Sequence, residues 1–297
     1  MSGIESLLAE IREVVNQECA ERLPLFDTFA NEARFARAWL APSLQVLSPG
    51  APILEVGAGT LLLSCQLASE GFHVTAVEPI GEGFDEFREL QQLVQQVAGR
   101  TTGRLRVLST PVEEMSLEGP FDFAFSVNVM EHVPSVSGAL TAIFAVLRPS
   151  ASYRFTCPNY LFPYEPHFNI PTLFSKALTA RLMGRRIRAY AAAADPEGLW
   201  QSLNWITVPA IARGCRKLAG ARAVFDTNIL ADALERVVFD PVFAARRPAW
   251  LRAIARGLVA TRLHRLLALL PAFMQPIIDC RIERVGSLAE AAQGTRR

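Results

Sequence analysis

The stretch Ile53-Leu54-Glu55-Val56-Gly57-Ala58-Gly59-Thr60-Leu61-Leu62-Leu63-Ser64 decides how the rest of the chain is read. Ile53 and Leu54 open it with the continuous apolar character of a buried parallel strand. After Gly57-Ala58-Gly59 the apolar pattern resumes as helix through Ala68. Strand, glycine turn and helix together present backbone N–H groups and a helix N-terminus to a ligand. The two glycines let the main chain turn sharply and approach that ligand with no Cβ in the way. Taken alone, a glycine turn is also an ordinary connection between a strand and a helix.

A second apolar run, His73-Val74-Thr75-Ala76-Val77, ends in Glu78, 21 positions beyond Gly57. An acidic residue at about that distance accepts hydrogen bonds from a ribose diol, so the pair implies an adenosine-type ligand at the carboxyl ends of adjacent parallel strands. A dinucleotide site wants a third glycine where Leu62 stands, which fits a nicotinamide cofactor poorly. S-adenosylmethionine has no phosphate to cradle and is the alternative.

Further along the chain come Phe121-Asp122-Phe123-Ala124-Phe125, Asn128, Glu131-His132-Val133 and Leu147-Arg148-Pro149. With Glu55-x-Gly57-x-Gly59 and Glu78-Pro79, this set resembles the class I S-adenosylmethionine-dependent methyltransferases over roughly residues 50–160. The family's last motif glycine is replaced here by Leu61, which either fills a gap in the helix packing or crowds the methionine tail. The resemblance implies that Glu55 orients the loop and the amino end of the methionine moiety. It implies that Gly57, Ala58 and Gly59 pass close to the cofactor, and that Glu78, followed by Pro79, holds the ribose hydroxyls. Relatives place an acidic residue after the third strand, Leu105–Leu108, to bind adenine. No Asp stands there, so the backbone near Val112, or Glu113, has to serve. Asn128 and Val129 follow the fourth strand and would lie against the cofactor.

The fold expected is α/β, a doubly wound, mainly parallel seven-stranded sheet with helical insertions after strands 5 and 6. Strands are expected near 52–56, 73–77, 104–108, 121–127, 151–156 and 222–226, with an antiparallel seventh at Ile277–Val285. Helices are expected at the N-terminus, over Thr28–Leu47 and Phe84–Val97, over Ser135–Leu147 where Pro149 stops it, within 172–200, and after Thr207 as N-cap. The parts are N-terminal helices capping the cofactor site (1–49), a cofactor-binding core (50–160), a substrate-side insertion (161–206), a core helix and strand 6 (207–227), a basic helical insertion (228–274), and strand 7 with a frayed tail (275–297). In the first part, Phe26, Arg34, Arg37 and Trp39 are either core packing or lid contacts.

Composition restricts the partners. A formal charge of +1 over 297 residues, with no basic stripe interleaved with stacking aromatics on the core, argues against nucleic acid. Five dispersed cysteines, Cys19, Cys65, Cys157, Cys215 and Cys280, form no C-x-x-C pair and imply reduced thiols, no zinc site and a cytoplasmic home. Acidic residues interrupt every apolar run near the N-terminus, so no signal peptide is expected. Residues 241–275 carry Arg246, Arg247, Arg252, Arg256, Arg262 and Arg265 and no acidic residue, beside Trp250, Ile254 and a leucine series. Such a segment suits an anionic amphiphile or peripheral membrane contact, or else a solvated hairpin packed on its own domain.

Methyl transfer needs no acid for its leaving group; the protein must aim the nucleophile and exclude water. A hydroxyl acceptor would also want a general base. His132 and His167 are the candidates, His167 from the proline-rich loop Cys157–Pro171, whose Asn159, Tyr160, Tyr164 and Glu165 could orient a small-molecule, sugar-linked or lipid-linked acceptor. No Asp, Glu and His set with metal spacing is visible, so no metal is expected. Two rivals stand beside O-methylation: a nicotinamide-dependent oxidoreductase, which lacks a hydride-transfer constellation, and a non-catalytic scaffold in which Leu61 blocks the cofactor.

Overall fold

The computed structural model describes residues 3–79, 85–99, 103–115, 119–173, 175–191, 195–245 and 247–285. The expected tail at 286–297, Phe84 at the start of its helix and Arg246 of the basic run lie outside them. Seven strands form one sheet: β1 (Pro52–Val56), β2 (His73–Val77), β3 (Leu105–Leu108), β4 (Phe121–Val127), β5 (Leu147–Pro158), β6 (Ala221–Asp226) and β7 (Ile277–Arg284). Their order is β3-β2-β1-β4-β5-β7-β6. The sheet is mostly parallel with one antiparallel pairing, as expected. The ladders β1–β2, β1–β4 and β2–β3 are parallel, with Ile53 opposite both Val74 and Phe123.

The chain divides into two compact units, one of Met1–Val127, Gly138–Tyr153 and Arg284–Arg297, the other of Asn128–Ser137 and Arg154–Glu283. The division runs through β5, between Tyr153 and Arg154.

In the first unit the helices are α1 (Ile4–Glu18), α2 (Leu23–Leu44), α3 (Leu62–Ser69), α4 (Asp85–Val97) and α5 (Val136–Ala145), the last beginning just before the unit boundary. Leu8, Ile11 and Val15 recur at helical spacing on α1 and are fully buried, and on α2 Phe26, Ala30, Ala33 and Leu40 do the same. They join one core with Ile53, Leu62, Val74 and Phe123. Arg12 pairs with Asp27 at 2.9 Å, Arg34 with Glu5 at 2.8 Å and Arg37 with Glu70 at 2.8 Å, so the arginines brace helices against each other. Phe26 is buried and Trp39 packs on the core, while Arg34 and Arg37 are taken up by those ion pairs. α2 starts five residues earlier than its sequence pattern predicts, because Pro24 is tolerated in the first helical turn, where its missing N–H costs nothing.

α5 ends at Ala145, and β5 begins at Leu147, so Pro149 lies at the start of a strand rather than terminating a helix. Pro149 is followed by Ser150 at φ 67°, a break that keeps its missing donor out of a regular ladder.

The second unit holds α6 (Lys176–Arg188), α7 (Pro196–Ser202), α8 (Val208–Cys215), α9 (Ile229–Phe239), α10 (Pro241–Ala245) and α11 (Ala249–Ala260), followed by 3-10 turns at Leu263–Leu269 and Ala272–Met274. The stretch 172–200 is thus two helices, each with its own cap: Ser175 accepts from Leu178 N, and Asp195 from Gly198 N. Thr207 caps α8 as predicted, accepting from Ala210 N.

Candidate functional site

In the first unit the glycine turn is shaped by backbone contacts. Gly57 and Ala58 donate their N–H groups to Val77 O at 2.7 and 3.3 Å, which ties the turn to the end of β2. Gly57 and Gly59 have φ values of 73° and 50°, left-handed conformations that glycine adopts without steric cost. Glu78 folds back on this loop, its Oε2 accepting from Gly59 N at 2.7 Å. Burial raises the Glu78 carboxyl, and the Gly59 N–H opposes that rise. Glu55 is buried and accepts from Ser64 Oγ at the start of α3. Desolvation pushes its carboxyl up to about 8, partly offset by the Ser64 hydroxyl.

Leu61 resolves its own ambiguity. It sits at φ 65°, ψ 7°, a left-handed conformation in which glycine is normally favoured. Its side chain is fully buried in the same core as Leu62 and Phe123. Burial of a leucine contributes roughly 2–3 kcal/mol, against about 1–2 kcal/mol for the strained backbone. Leu61 therefore fills the core. Against Gly59 the surroundings are open: a Cβ built there would meet no atom of the described residues within 4 Å. Val112 is buried in a short 3-10 turn, Glu113 beside it is half-buried, and Pro79 follows Glu78 at the end of β2.

In the second unit, Asn128 is exposed at φ 54°, with Val129 half-buried after it. Here the two predicted histidines come together, with ring centroids 5.4 Å apart. Glu165 is fully buried and accepts from His167 Nδ1 at 2.6 Å, from the N–H groups of His167 (3.1 Å) and Phe168 (2.7 Å), and from Tyr160 OH at 3.3 Å. The Glu165 carboxyl, facing Nδ1, holds a proton of His167 on that nitrogen. His132 is arranged the same way. Its Nδ1 lies 2.8 Å from Ser202 Oγ, whose own proton goes to Leu199 O at 2.8 Å, so Nδ1 is the donor. Burial, and next the charge of His167, press the His132 imidazole down to about 4, so it is neutral at physiological pH.

The domain profile described as "Methyltransferase domain" matches residues 28–210, more than half of the chain. The chain belongs to the methyltransferase family. It is a class I S-adenosylmethionine-dependent methyltransferase. The chain is 48% identical over 281 residues to an uncharacterized protein of Mycobacterium tuberculosis (strain ATCC 25618 / H37Rv), which covers 95% of each. A ubiquinone biosynthesis O-methyltransferase of Rickettsia typhi is 26% identical over 98 residues, 33% of this chain and 37% of that one. Among solved structures, a phosphoethanolamine N-methyltransferase 2 of Haemonchus contortus in complex with S-adenosyl-L-methionine shares the fold at a TM-score of 0.51 and 14% identity, over 93% of this chain; the match spans 60% of that protein's length.

Not every loop residue of the methyltransferase faces outward. Asn159 is fully buried and its amide donates to Phe273 O (3.0 Å) and Gln275 O (2.8 Å), while its Oδ1 accepts from Leu161 N, so it anchors the start of the proline-rich loop. Tyr160 is buried and stacks on Trp205 at 4.4 Å. Tyr164 is exposed, with its hydroxyl 2.6 Å from Asn169 Oδ1. Sequence reasoning missed several supports: Gln91, which donates to Gly59 O; Ser202; and Asn204, whose amide donates to Met130 O and Val133 O at 2.8 Å each. Helical periodicity makes Gln91 look like a surface residue, and nothing in the spacing ties 202–204 to 130–133.

Linear spacing shows no metal set, but the fold brings three possible ligands together. Glu131, His132 and His167 each bring one ligand atom within 4.8 Å of the others, with His167 Nε2 4.0 Å from Glu131 Oε1. These three could hold a divalent ion. Linear spacing hid them because 35 positions separate His132 from His167.

Proposed function

We propose that the protein methylates a hydroxyl group on a small-molecule, sugar-linked or lipid-linked acceptor, with His167 as the general base. The observation that carries this reading is the Glu165–His167 pair at 2.6 Å, which places a proton on Nδ1 and makes Nε2 the ring nitrogen to take the acceptor's proton. His132, neutral and 5.4 Å away centroid to centroid, keeps the surroundings of His167 free of a second imidazolium. The partial likeness to an O-methyltransferase supports oxygen as the atom methylated.

S-adenosylmethionine supplies an electrophilic methyl: the acceptor oxygen forms the new C–O bond as the C–S bond breaks and its electron pair passes to sulfur. The residues of this chain do the remaining work. Gly57, Ala58 and Gly59 line the donor with backbone, and the open space against Gly59 fits that assignment. Glu78, already aligned by Gly59 N, would hold the ribose hydroxyls. Glu55 and Ser64 set the entry of α3, and Pro79, Val112 and Glu113 would complete this unit's contacts with the donor. His167 Nε2 takes the acceptor proton, and Glu165 stabilises the imidazolium formed. Of the four loop candidates Tyr164 is the exposed one and would orient an acceptor, with buried Asn159, Tyr160 and Glu165 holding the loop's shape.

The test is product formation from radiolabelled donor with a panel of hydroxyl and amine acceptors, run with the parent and with His167→Ala. Turnover of hydroxyl acceptors that falls about a hundredfold, with binding of S-adenosylhomocysteine unchanged, supports the assignment. Equal turnover in both proteins removes His167 as base. Prior dialysis against a chelator should leave turnover unaltered; a loss restored by a divalent cation reassigns Glu131, His132 and His167 as its ligands.

A further inference from the structure

The region from α9 to the 3-10 turn at Ala272–Met274 has a small core of its own. Leu234, Val237 and Ala255 are buried together, with Phe243, Leu258 and Leu267 packed around them. Buried His264 locks it, bonding Glu235 Oε1 at 2.7 Å and Leu258 O at 3.1 Å. Gln275 Nε2 donates to Thr227 O and Leu267 O. The exposed apolar residues of this region lie outside that small core.

Those outer residues are ordered. On α11, Trp250, Ala253, Ile254 and Gly257 follow at helical spacing on a face turned away from buried Ala255, with Trp250 64% and Ile254 50% exposed. In the 3-10 helix that packs against α11, side chains three apart eclipse, and Leu263, Leu266 and Leu269 form a second exposed stripe. Leu269 is 80% exposed. Exposed Arg256, Arg262 and Arg265 run beside both stripes, and among the described residues no carboxylate pairs with them. No acidic residue occurs between 241 and 275. No helix among the described residues is long and apolar enough to cross a membrane.

We propose that this double stripe docks on the surface of an anionic lipid bilayer, its tryptophan and leucines entering the headgroup–acyl boundary and its arginines meeting lipid phosphates. Charge decides the occupant. A second copy of the chain would bring a two-fold contact in which Arg256, Arg262 and Arg265 face arginines of the other copy, with no carboxylate in the segment to relieve them. A bilayer presents apolar depth and phosphate charge together, and arginine can lay its stem along the apolar boundary while its guanidinium stays with the headgroups. The proline-rich loop is close by: burial raises the Tyr164 phenol, and the charge of Arg247 opposes that rise. A lipid-linked acceptor would thus be met at the surface where the protein sits, though docking itself does not depend on what is methylated.

Flotation of the full chain with phosphatidylglycerol vesicles and, separately, with phosphatidylcholine vesicles tests this without reference to turnover. The protein should float with the former, fall back as salt is raised, and stay behind with the latter. Leu266→Asp with Leu269→Asp, both exposed positions, should lower the partition coefficient at least tenfold, and Arg256→Gln with Arg265→Gln several-fold. Unchanged thermal melting and S-adenosylhomocysteine binding would show that the variants are folded. Failure to float with phosphatidylglycerol overturns the proposal, and so does equal flotation with both lipids. A concentration-dependent dimer in sedimentation that Leu266→Asp abolishes gives the face to a second copy instead, and also overturns it. Capture of an acidic protein by this face with no flotation does the same.

Discussion

The glycine turn of the first unit and the histidine cluster of the second are built by opposite means. The turn is one continuous stretch held mostly by main chain: Gly57 N and Ala58 N on Val77 O, Gly59 N on Glu78. The cluster draws on three distant stretches, 131–132, 160–168 and 202–204, and is held by side chains: Glu165 on His167 and Tyr160, Ser202 on His132, Asn204 on the backbone of Met130 and Val133. A site made of main chain tolerates most substitutions except where φ is positive. A site made of side chains fails when one atom is removed.

The largest effect should therefore come from the cluster. His167→Ala should lower kcat for a hydroxyl acceptor by about two orders of magnitude while donor affinity holds. Glu165→Gln should lower it nearly as far, because a neutral amide neither fixes the tautomer of His167 nor stabilises its cation. It should also melt earlier, since a buried carboxylate that accepts four hydrogen bonds would be replaced by a group that must donate as well. If Glu165→Gln keeps full turnover, the pair is a structural clasp and the contrast between the regions weakens.

Next in size is Leu61, where main-chain and side-chain logic meet. Leu61→Ala keeps the left-handed backbone and loses the packing, at a cost of roughly 2–4 kcal/mol in chemical denaturation. Leu61→Gly loses the same packing but relieves the backbone strain, so it should be more stable than Leu61→Ala by about 1 kcal/mol. Glycine outranking alanine in this position is the reverse of the usual order. The usual order here would mean that the left-handed conformation is not held in solution.

What could be read from the sequence divides along the same line. The alternation of strands and helices, the glycine turn, Glu78 and the Thr207 cap were all legible, because each is set by neighbours within a few positions in the chain. Leu61 was recognised as a departure, but its effect was not, since whether a leucine enters a core or a ligand site depends on what packs above it. The cluster was half legible: His132 and His167 each stood out, but Glu131, Ser202 and Asn204 join them only through tertiary contact. Asn159 shows the opposite failure. A polar residue in an aromatic loop looked available to substrate, and tertiary structure bonded both ends of its amide to backbone. The C-terminal insertion was legible as basic and apolar, whereas the 3-10 period that aligns Leu263, Leu266 and Leu269 was not, because a run of leucines fits several helical periods.

A smaller effect tests the open space at the turn. Gly59 stands at φ 50° with no atom of the described residues within 4 Å of a built Cβ. Gly59→Ala should cost about 1 kcal/mol of stability from backbone conformation alone. If that space is where the donor lies, affinity for S-adenosylhomocysteine should fall by roughly tenfold more than the stability change accounts for. Calorimetric titration separates the two. Unchanged affinity would move the donor away from Gly59 and leave the turn as an ordinary connection.

The last effect is in pH, and it has opposite signs in the two regions. Glu55 is raised from about 4.5 to about 8 by burial, so between those values the native state keeps a proton that the unfolded chain has lost. Its contribution is present below about pH 4.5 and is lost as pH rises through about 8. His132 is pressed from about 6.5 to about 4, so between those values the unfolded chain is the one that binds the extra proton. Its contribution is present above about pH 6.5 and is lost as pH falls through about 4. The two tilt the stability profile in opposite directions. Denaturant melts of Glu55→Gln should flatten the alkaline limb and leave the acid limb intact, because glutamine keeps a neutral acceptor for Ser64 at every pH. His132→Asn should flatten the acid limb and leave the alkaline limb. If Glu55→Gln instead loses stability equally from pH 5 to 8, Glu55 is ionised in the folded protein, and the buried proton at the base of the glycine turn does not exist.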